Sequence, residues 1–384
     1  MSEFKSSSFR NEDNSGAPDI VGVSTFTSPF YFVPPSGTTA ERPSGDGLAP
    51  GMLRFNTDIG RLEVWRGDHW AMILGESPNL GVNGALGARG LFASGFVTPT
   101  PVFTASNVID YITISTLGNA SDFGDLQTIT RGVGACASST RGLFGGGGEP
   151  GINVIDFVTI SSTGNGSDFG DLTQARAYSY GCSSQTRGLF SGGQTGTNTS
   201  TTVNTIDYVT IASNGVNAQD FGDLQNPVQA PGACASSTRG IIAGGEGPGD
   251  VKRNVIEFVT ISTTANATDF GDLIAAISNM GACSNSTRGV FGGATPGPSN
   301  VIQFITIAST GNTTDFGDLI AAKNSLSACA SSTRGVFAGG QTPSPTSNVI
   351  EYITILTTGN SIDFGDLTQA RAQLGGLSNA HGGL

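Results

Sequence analysis

The apolar residues of this chain come in short runs that never settle into a helical period. Segments such as RGLFGGG (141–147) and NVIDYITI (107–114) hold a few apolar or β-branched positions and then stop at Gly, Asn, Ser or Thr. The NVIDYITI segments alternate, with Val, Tyr and Thr assigned to one face and Ile and Asp to the other. No longer stretch with a 3.6-residue period competes. The pattern predicts short antiparallel strands joined by turns.

The pattern also repeats. Arg89, Arg141, Arg187, Arg239, Arg288 and Arg334 each open an RGLF, RGII or RGVF segment. An Asn-led segment of the NVID type follows each, and then DFGDL, at Asp122, Asp168, Asp220, Asp269, Asp315 and Asp363. The steps between these aspartates are 46, 52, 49, 46 and 48 residues. A small-residue segment of the GACAS type precedes five of the Arg positions, with Cys136, Cys182, Cys234, Cys283 or Cys329 five residues before the Arg. Three clear strands and a weaker one around DFGDL, in about 48 residues, have the spacing of a propeller blade. The first unit starts poorly, at GVNGAL (81–86), whereas the tail QLGGLSNAHGGL (373–384) is a good first strand. The tail is therefore expected to complete unit one and remove an exposed edge. Six blades are expected; a seven-bladed variant would recruit residues 51–75.

The stretch QARAYSYGCSSQTRGLFSGG (174–193) followed by NTIDYVTI (204–211) resembles the kelch family. The shared order is an early basic residue, a strand ending in Gly–Gly, and an Asn-led strand carrying an aromatic. The resemblance spans residues 80–384. It departs at the last anchor, where Phe123, Phe169, Phe221, Phe270, Phe316 and Phe364 stand in place of the usual Trp. It implies an all-β fold, a six-bladed kelch-like β-propeller of four-stranded antiparallel blades over residues 78–384. Fold alone implies no function.

Spacing singles out one face. The Leu of DFGDL is always ten residues before the Cys (finally Leu377), and Cys to Arg is always five. From Arg to the next Asn, however, the distances run 18, 12, 17, 15, 12 and 14. Nearly all length variation thus lies between the second and third strands. In a meander that loop shares a face with the connection from the fourth strand to the next first strand. Variable loops on one face are expected to bind. The candidate ligand-binding residues are Thr98, Thr100, Glu149, Thr195, Thr197, Asn198, Asp250, Lys252, Arg253, Thr295, Ser299, Thr342 and Ser344. Hydroxyls and amides there offer hydrogen bonds, and the loop prolines reduce the ordering cost.

Charge adds little. Twelve aspartates come from the DFGDL copies, so the net charge of −12 is a by-product of the repeat and opposes phosphate neutralisation of a nucleic acid. The N-terminal MSEFKSSSFRNEDNSG has no signal-peptide core, and no run approaches the ~18–20 apolar residues of a membrane span, so synthesis in a cytoplasm without membrane insertion is expected.

Six copies of DFGDL, with no kinase loop or strand Lys, make a magnesium-binding DFG untenable. Its Phe is expected to fill the space between blades. Its Asp residues are expected to accept backbone N–H bonds in a tight turn at the Gly, and one of them to meet the Arg of TRG. A calcium-binding carboxylate ring is the alternative. The five cysteines are expected reduced, buried and one per unit. GGGGEPG (145–151) lacks the GK[ST] of a phosphate loop. His69 and His381 are the only histidines, and Glu149, Glu246 and Asp250 read as scattered carboxylates. Neither an enzyme nor a cofactor or metal is expected.

The first eighty residues differ in character. Residues 1–36 read as an extended arm with Phe30, Tyr31 and Phe32 available for contacts. Residues 37–77 read as a small module of three strands, GMLRFN, RLEVWRG and HWAMIL, marginal alone. The segment PPSGTTAERP…PGMLRFNTDIGRLEVWRGDHW resembles a module recurrent in tailed-bacteriophage virion proteins, particularly fibre and tail-associated ones. That resemblance implies a virion structural protein anchored through Phe30, Tyr31, Phe32, Trp65 and Trp70 to other virion proteins, as a homo-oligomer. The propeller would then meet a host-surface glycan or protein. A decoration or tail-scaffold protein and a glycan-cleaving enzyme are the alternatives.

Overall fold

The computed structural model describes residues 34–45, 48–59, 61–72, 88–98, 104–213, 215–342 and 345–384. Strands dominate, and the helices among the described residues are three 3-10 turns, Thr39–Glu41, Thr199–Thr201 and Pro248–Asp250. The chain divides into two compact units, Met1–Gly75 and Glu76–Leu384.

In the first unit β1 (Ser36–Gly37) lies parallel to β2 (Leu53–Asn56), and β3 (Arg61–Trp65) and β4 (Trp70–Met72) continue the sheet antiparallel. The three expected strands are joined by β1, which sequence reasoning did not foresee. The buried positions of this sheet are polar: Arg54, Asn56 and Glu63. Glu63 pairs with Arg42 and Arg54 and accepts a 3.1 Å bond from Asn56, so the buried charge is neutralised and hydrogen-bonded. The Arg42 bond holds the Glu63 carboxyl below its ordinary range. Trp65 and Trp70 are half-buried, with ring centroids 5.5 Å apart, while Leu53, Leu62 and Met72 are exposed.

The second unit is all-β and propeller-like, and its described residues form six repeat sheets, here sheets 1 to 6. Sheet 2 shows the pattern: Gly134–Ala137, Arg141–Gly145, Val154–Thr159 and Ser167–Asp171 pair in chain order, each antiparallel to the last. Sheets 1 and 4 add a two-residue strand, Phe96–Val97 and Glu246–Gly247, against the third strand. Sheet 1 takes its innermost strand from the tail, where Gly375–Ser378 pairs with Arg89–Ala93. Residues 81–86 lie outside the described residues, and 53–72 belong to the separate N-terminal sheet. The innermost strands pack side by side in chain order, and Gly375–Ser378 touches both Ser327–Ala330 and Gly134–Ala137.

Burial in the third strands follows the expected division. Ile109, Asp110 and Ile112 are buried, whereas Val108, Tyr111 and Thr113 are half-buried. The register shifts between Ile109 and Asp110, so a bulge buries two consecutive side chains. An apolar cluster fills each space between consecutive sheets. Phe123 lies in one of them, edge-on to Tyr111 at 6.0 Å and clustered with Val158 and Ile160 of sheet 2.

DFGDL does not form the expected turn. Its first four residues lie inside the fourth strand, and its main chain is bonded to the next sheet. Phe123 and Asp125 carbonyls accept the N–H groups of Gly164 and Gly166, and the Asp125 N–H donates to Asn165 Oδ1. Gly124, at φ +145°, faces Gly164 so closely that an added Cβ would stand 2.5 Å from its carbonyl oxygen. The Asn bond recurs at Asn217, Asn266, Asn312, Asn360 and Asn119, the last bringing sheet 6 back to sheet 1.

The TRG arginines do not meet the DFGDL aspartates. Arg89 stacks over Tyr111 at 4.7 Å and donates to Ile160 O of the next sheet, and Arg334 stacks over Tyr352 and donates to Ile114 O. The aromatic face and the carbonyl both attract a cation, while the aspartates stay near solvent. The following Gly is explained by the cysteine. A Cβ at Gly188 would meet Cys136 Sγ at 2.5 Å, and Leu377 takes the thiol's place against Gly142. All five cysteines are free and buried, and burial pushes the Cys182 and Cys283 thiols up to about 12.

Candidate ligand-binding site

The connections from fourth strands to next first strands are constant in length, and each places one residue in the left-handed region. These are Gly132, Tyr178, Ala230, Asn279, Ser325 and Gln373, with φ between +49° and +67°. The N–H of Tyr178 donates to Gly132 O, that of Ala230 to Tyr178 O, and that of Asn279 to Ala230 O, at 2.8–3.0 Å. Ser325 donates to Asn279 O, Gln373 to Ser325 O, and Gly132 to Gln373 O, at 2.8–2.9 Å. The six bonds close a cycle. A left-handed residue other than Gly costs roughly 1–2 kcal/mol, and the cycle over-determines the conformation at five such places.

Beside this cycle opens a depression of about 460 Å³, within the range of small-ligand sites. Tyr178, Asn279 and Gln373 reach it from the cycle, and Gln229 from beside Ala230. Glu149, Asn198, Glu246 and Asp250 reach it from the loops between second and third strands of sheets 2, 3 and 4.

The polar groups are mutually ordered. Glu149 pairs with Arg131 and accepts bonds from the Tyr178 hydroxyl (3.0 Å) and Gln194 Nε2 (3.3 Å). Burial pushes the Tyr178 hydroxyl up to about 12, which keeps it a donor. Glu246 pairs with Lys252. Asp250 accepts a 2.9 Å bond from Thr199 Oγ1. Asn198 caps the 3-10 turn by accepting from Ser200 N at 3.1 Å, as short polar side chains do. The side-chain oxygens of Gln229 and Gln373 are buried and have no hydrogen-bond partner among the described residues.

Of the expected binding residues, Glu149, Thr197, Asn198 and Asp250 come together here. Lys252 stands behind Glu246 as its ion partner. The other predicted polar groups are engaged within loops. Thr98 and Thr346 bond each other at 3.0 Å, Thr195 donates to Thr201 O, and Thr295 and Ser278 share a 2.8 Å bond. Ser299 accepts from Val301 N, Thr342 donates to Pro345 O, and Arg253 lines a smaller crevice with Glu257. Thr100, Ser344, Phe30, Tyr31 and Phe32 lie outside the described residues.

The carboxylates that read as scattered are not. Glu149, Glu246 and Asp250 come from three units, yet their loops converge over one depression. Tyr178, Gln229, Asn279 and Gln373 were missed because their connections do not vary in length. The available signal was type: six residues after each DFGDL Leu stand Gly132, Tyr178, Ala230, Asn279, Ser325 and Gln373, six different residues at one place.

The axis at the opposite face is narrow, with a cavity of about 50 Å³ lined by Ala, Ser and Cys side chains. The tail closes it. His381 Nε2 lies 2.9 Å from Ala137 O and 3.3 Å from Ser183 Oγ, and Gly382 N donates to Ser284 O. Burial pushes His381 down to about 4. Among the described residues, no group of three or more His, Cys, Asp or Glu is placed to hold a metal ion. No family model matches the chain, and no curated protein matches it at a significant level.

Proposed function

We propose that residues 78–384 form a closed, six-bladed kelch-like propeller, displayed by a tailed-phage particle to recognise a host surface, with residues 1–77 as the anchor. The tail strand in sheet 1 and the cycle of six backbone bonds support closure. The observation that carries the recognition reading is the polar depression on the face whose loops differ in length, set beside a bonded, constant ring. A rigid platform under variable loops is how folds usually bear binding sites. The protein acts without making or breaking bonds, as one of several copies made in the host cytoplasm and assembled with other virion proteins.

Convergence of three carboxylates raises glycan cleavage as a second reading. A glycosidase needs one carboxylic acid that carries a proton. Among the described residues, Glu149 and Glu246 are each held in an ion pair and Asp250 accepts a hydroxyl, an arrangement that suits binding better. Release of reducing ends from host glycans by the purified protein would restore that reading.

The test is to label the propeller on intact particles and locate it by electron microscopy, then exchange the loops at 195–203 and 246–253. Label at tail or fibre tips, with adsorption lost on loop exchange and particles intact, is the expected result. Label over the head or within the tail shaft, or failed assembly on loop exchange, would replace it with a decoration or scaffold role.

A further inference from the structure

We propose that the depression takes the end of a saccharide that is uncharged or carries an amine, and that it rejects acidic sugars; this rests on reading the depression as the recognition site. The lining contains no Lys or Arg. The two nearby cations, Arg131 and Lys252, are each held by a carboxylate, so Asp250 has no cationic partner among the described residues. The remaining charge is therefore negative. An incoming carboxylate or phosphate would meet it with no donor fork to receive it, and like charges at short range are costly. A ligand ammonium would meet the opposite situation.

The hydrogen-bond inventory points the same way. Carboxylates only accept, and Glu149, Glu246 and Asp250 supply three of the side chains that line the depression. An acceptor that loses water to a bound ligand must be given a donor in exchange, or its desolvation is uncompensated. Sugar hydroxyls and amines supply such donors. Specificity built on buried acceptors discriminates strongly against ligands that cannot donate.

The experiment is calorimetric titration of the full chain at physiological salt with trimers of glucosamine, glucose and galacturonic acid. The glucosamine and glucose trimers are expected to bind at least tenfold more tightly than the galacturonic acid trimer. Asp250→Asn should remove any advantage of glucosamine over glucose; Asn tolerates the left-handed backbone that Asp250 adopts at φ +61°. Gln373→Asn, which places there the residue that sheet 5 already carries as Asn279, should weaken both trimers severalfold. Tightest binding of the acidic trimer, no binding of any trimer, or affinities unmoved by both variants would overturn the inference. Particles bearing Asp250→Arg separate it from the recognition reading. Lost adsorption with a wrong trimer ranking leaves recognition standing and ends the ligand class. Normal adsorption with the expected ranking does the reverse.

Discussion

Between sheets 6 and 1 the buried acid of the third strand, Asp110, meets Arg371; between sheets 3 and 4, Glu257 at the same place meets no such partner. Asp110 and Arg371 are both fully buried and 2.8 Å apart, and Arg371 also donates to Ser94 O and Val108 O. Glu257 has the N–H of Gln225 at 3.1 Å and the more distant charge of Arg253. What the two contacts share is that backbone N–H, offered by the residue after DFGDL: Thr368 to Asp110, Gln225 to Glu257. Asp156, Asp207, Gln303 and Glu351 accept it in the other four. The contact between sheets therefore requires an acceptor at this position and not a charge, as Gln303 demonstrates. The charge is neutralised where Arg371, Arg176 or Lys323 reaches it, whereas at Asp156 and Glu257 burial outweighs the hydrogen-bond donors and raises the carboxyl.

The largest way to break this comparison is to make the first contact resemble the second. Arg371→Met leaves Asp110 buried with only Thr368 as donor, and loss of one partner from a buried pair costs about 3–5 kcal/mol. Urea unfolding at pH 7 should show that loss, and adding Asp110→Asn should recover more than half of it. If the single variant unfolds like the parent, the pair contributes nothing that Thr368 does not.

A smaller effect of opposite sign is expected at Glu257. Burial pushes its carboxyl up to about 7 from an ordinary 4.5, so the folded chain holds a proton that the unfolded chain releases. This contribution to stability is fully present below about pH 4.5 and is lost as the pH rises through about 7. Glu257→Gln should therefore leave stability unchanged near pH 4 and raise it by about 1–3 kcal/mol at pH 8, at 1.36 kcal/mol per pKa unit. Thermal melts across that range give the answer, and an equal gain at both ends would contradict the assigned cause.

These contacts also mark how far the sequence could be read. Strand positions, the interblade Phe and the variable loops were legible, because each follows from local pattern or spacing. The function of DFGDL was not. A Gly between two Asp residues suggests a turn by local chemistry, yet Gly124 is required by main chain from the next sheet, forty residues on. The candidate site was half legible for a related reason. Loop length pointed to Glu149, Asn198 and Asp250, whereas Tyr178 and Gln373 occupy connections fixed in length by the cycle of backbone bonds. The N-terminal sheet was legible in its strands and opaque in its core, since alternation assigns Leu53 and Leu62 inward by default. Arg42 and Arg54 instead neutralise Glu63 inside, and the leucines face outward.

Gln303 gives the finest test, because the substitution runs in the other direction. Gln303→Glu places in sheet 5 the residue that sheet 4 carries, and the Ile274 N–H can still be accepted, as at Glu257. The new carboxylate has one advantage that Glu257 lacks. Thr313 Oγ1 donates to the Gln303 side-chain oxygen at 2.6 Å and can donate equally to a carboxylate. A second donor favours the ionised form, so the new acid should be shifted less than Glu257 is. The expected loss at pH 8 is about 1 kcal/mol, with no loss near pH 4. Adding Thr313→Val to Gln303→Glu should enlarge the pH 8 loss toward the size of the Glu257 effect. If it does not, the hydroxyl contributes nothing to the acid's ionisation, and the difference between contacts must lie in how much water each admits.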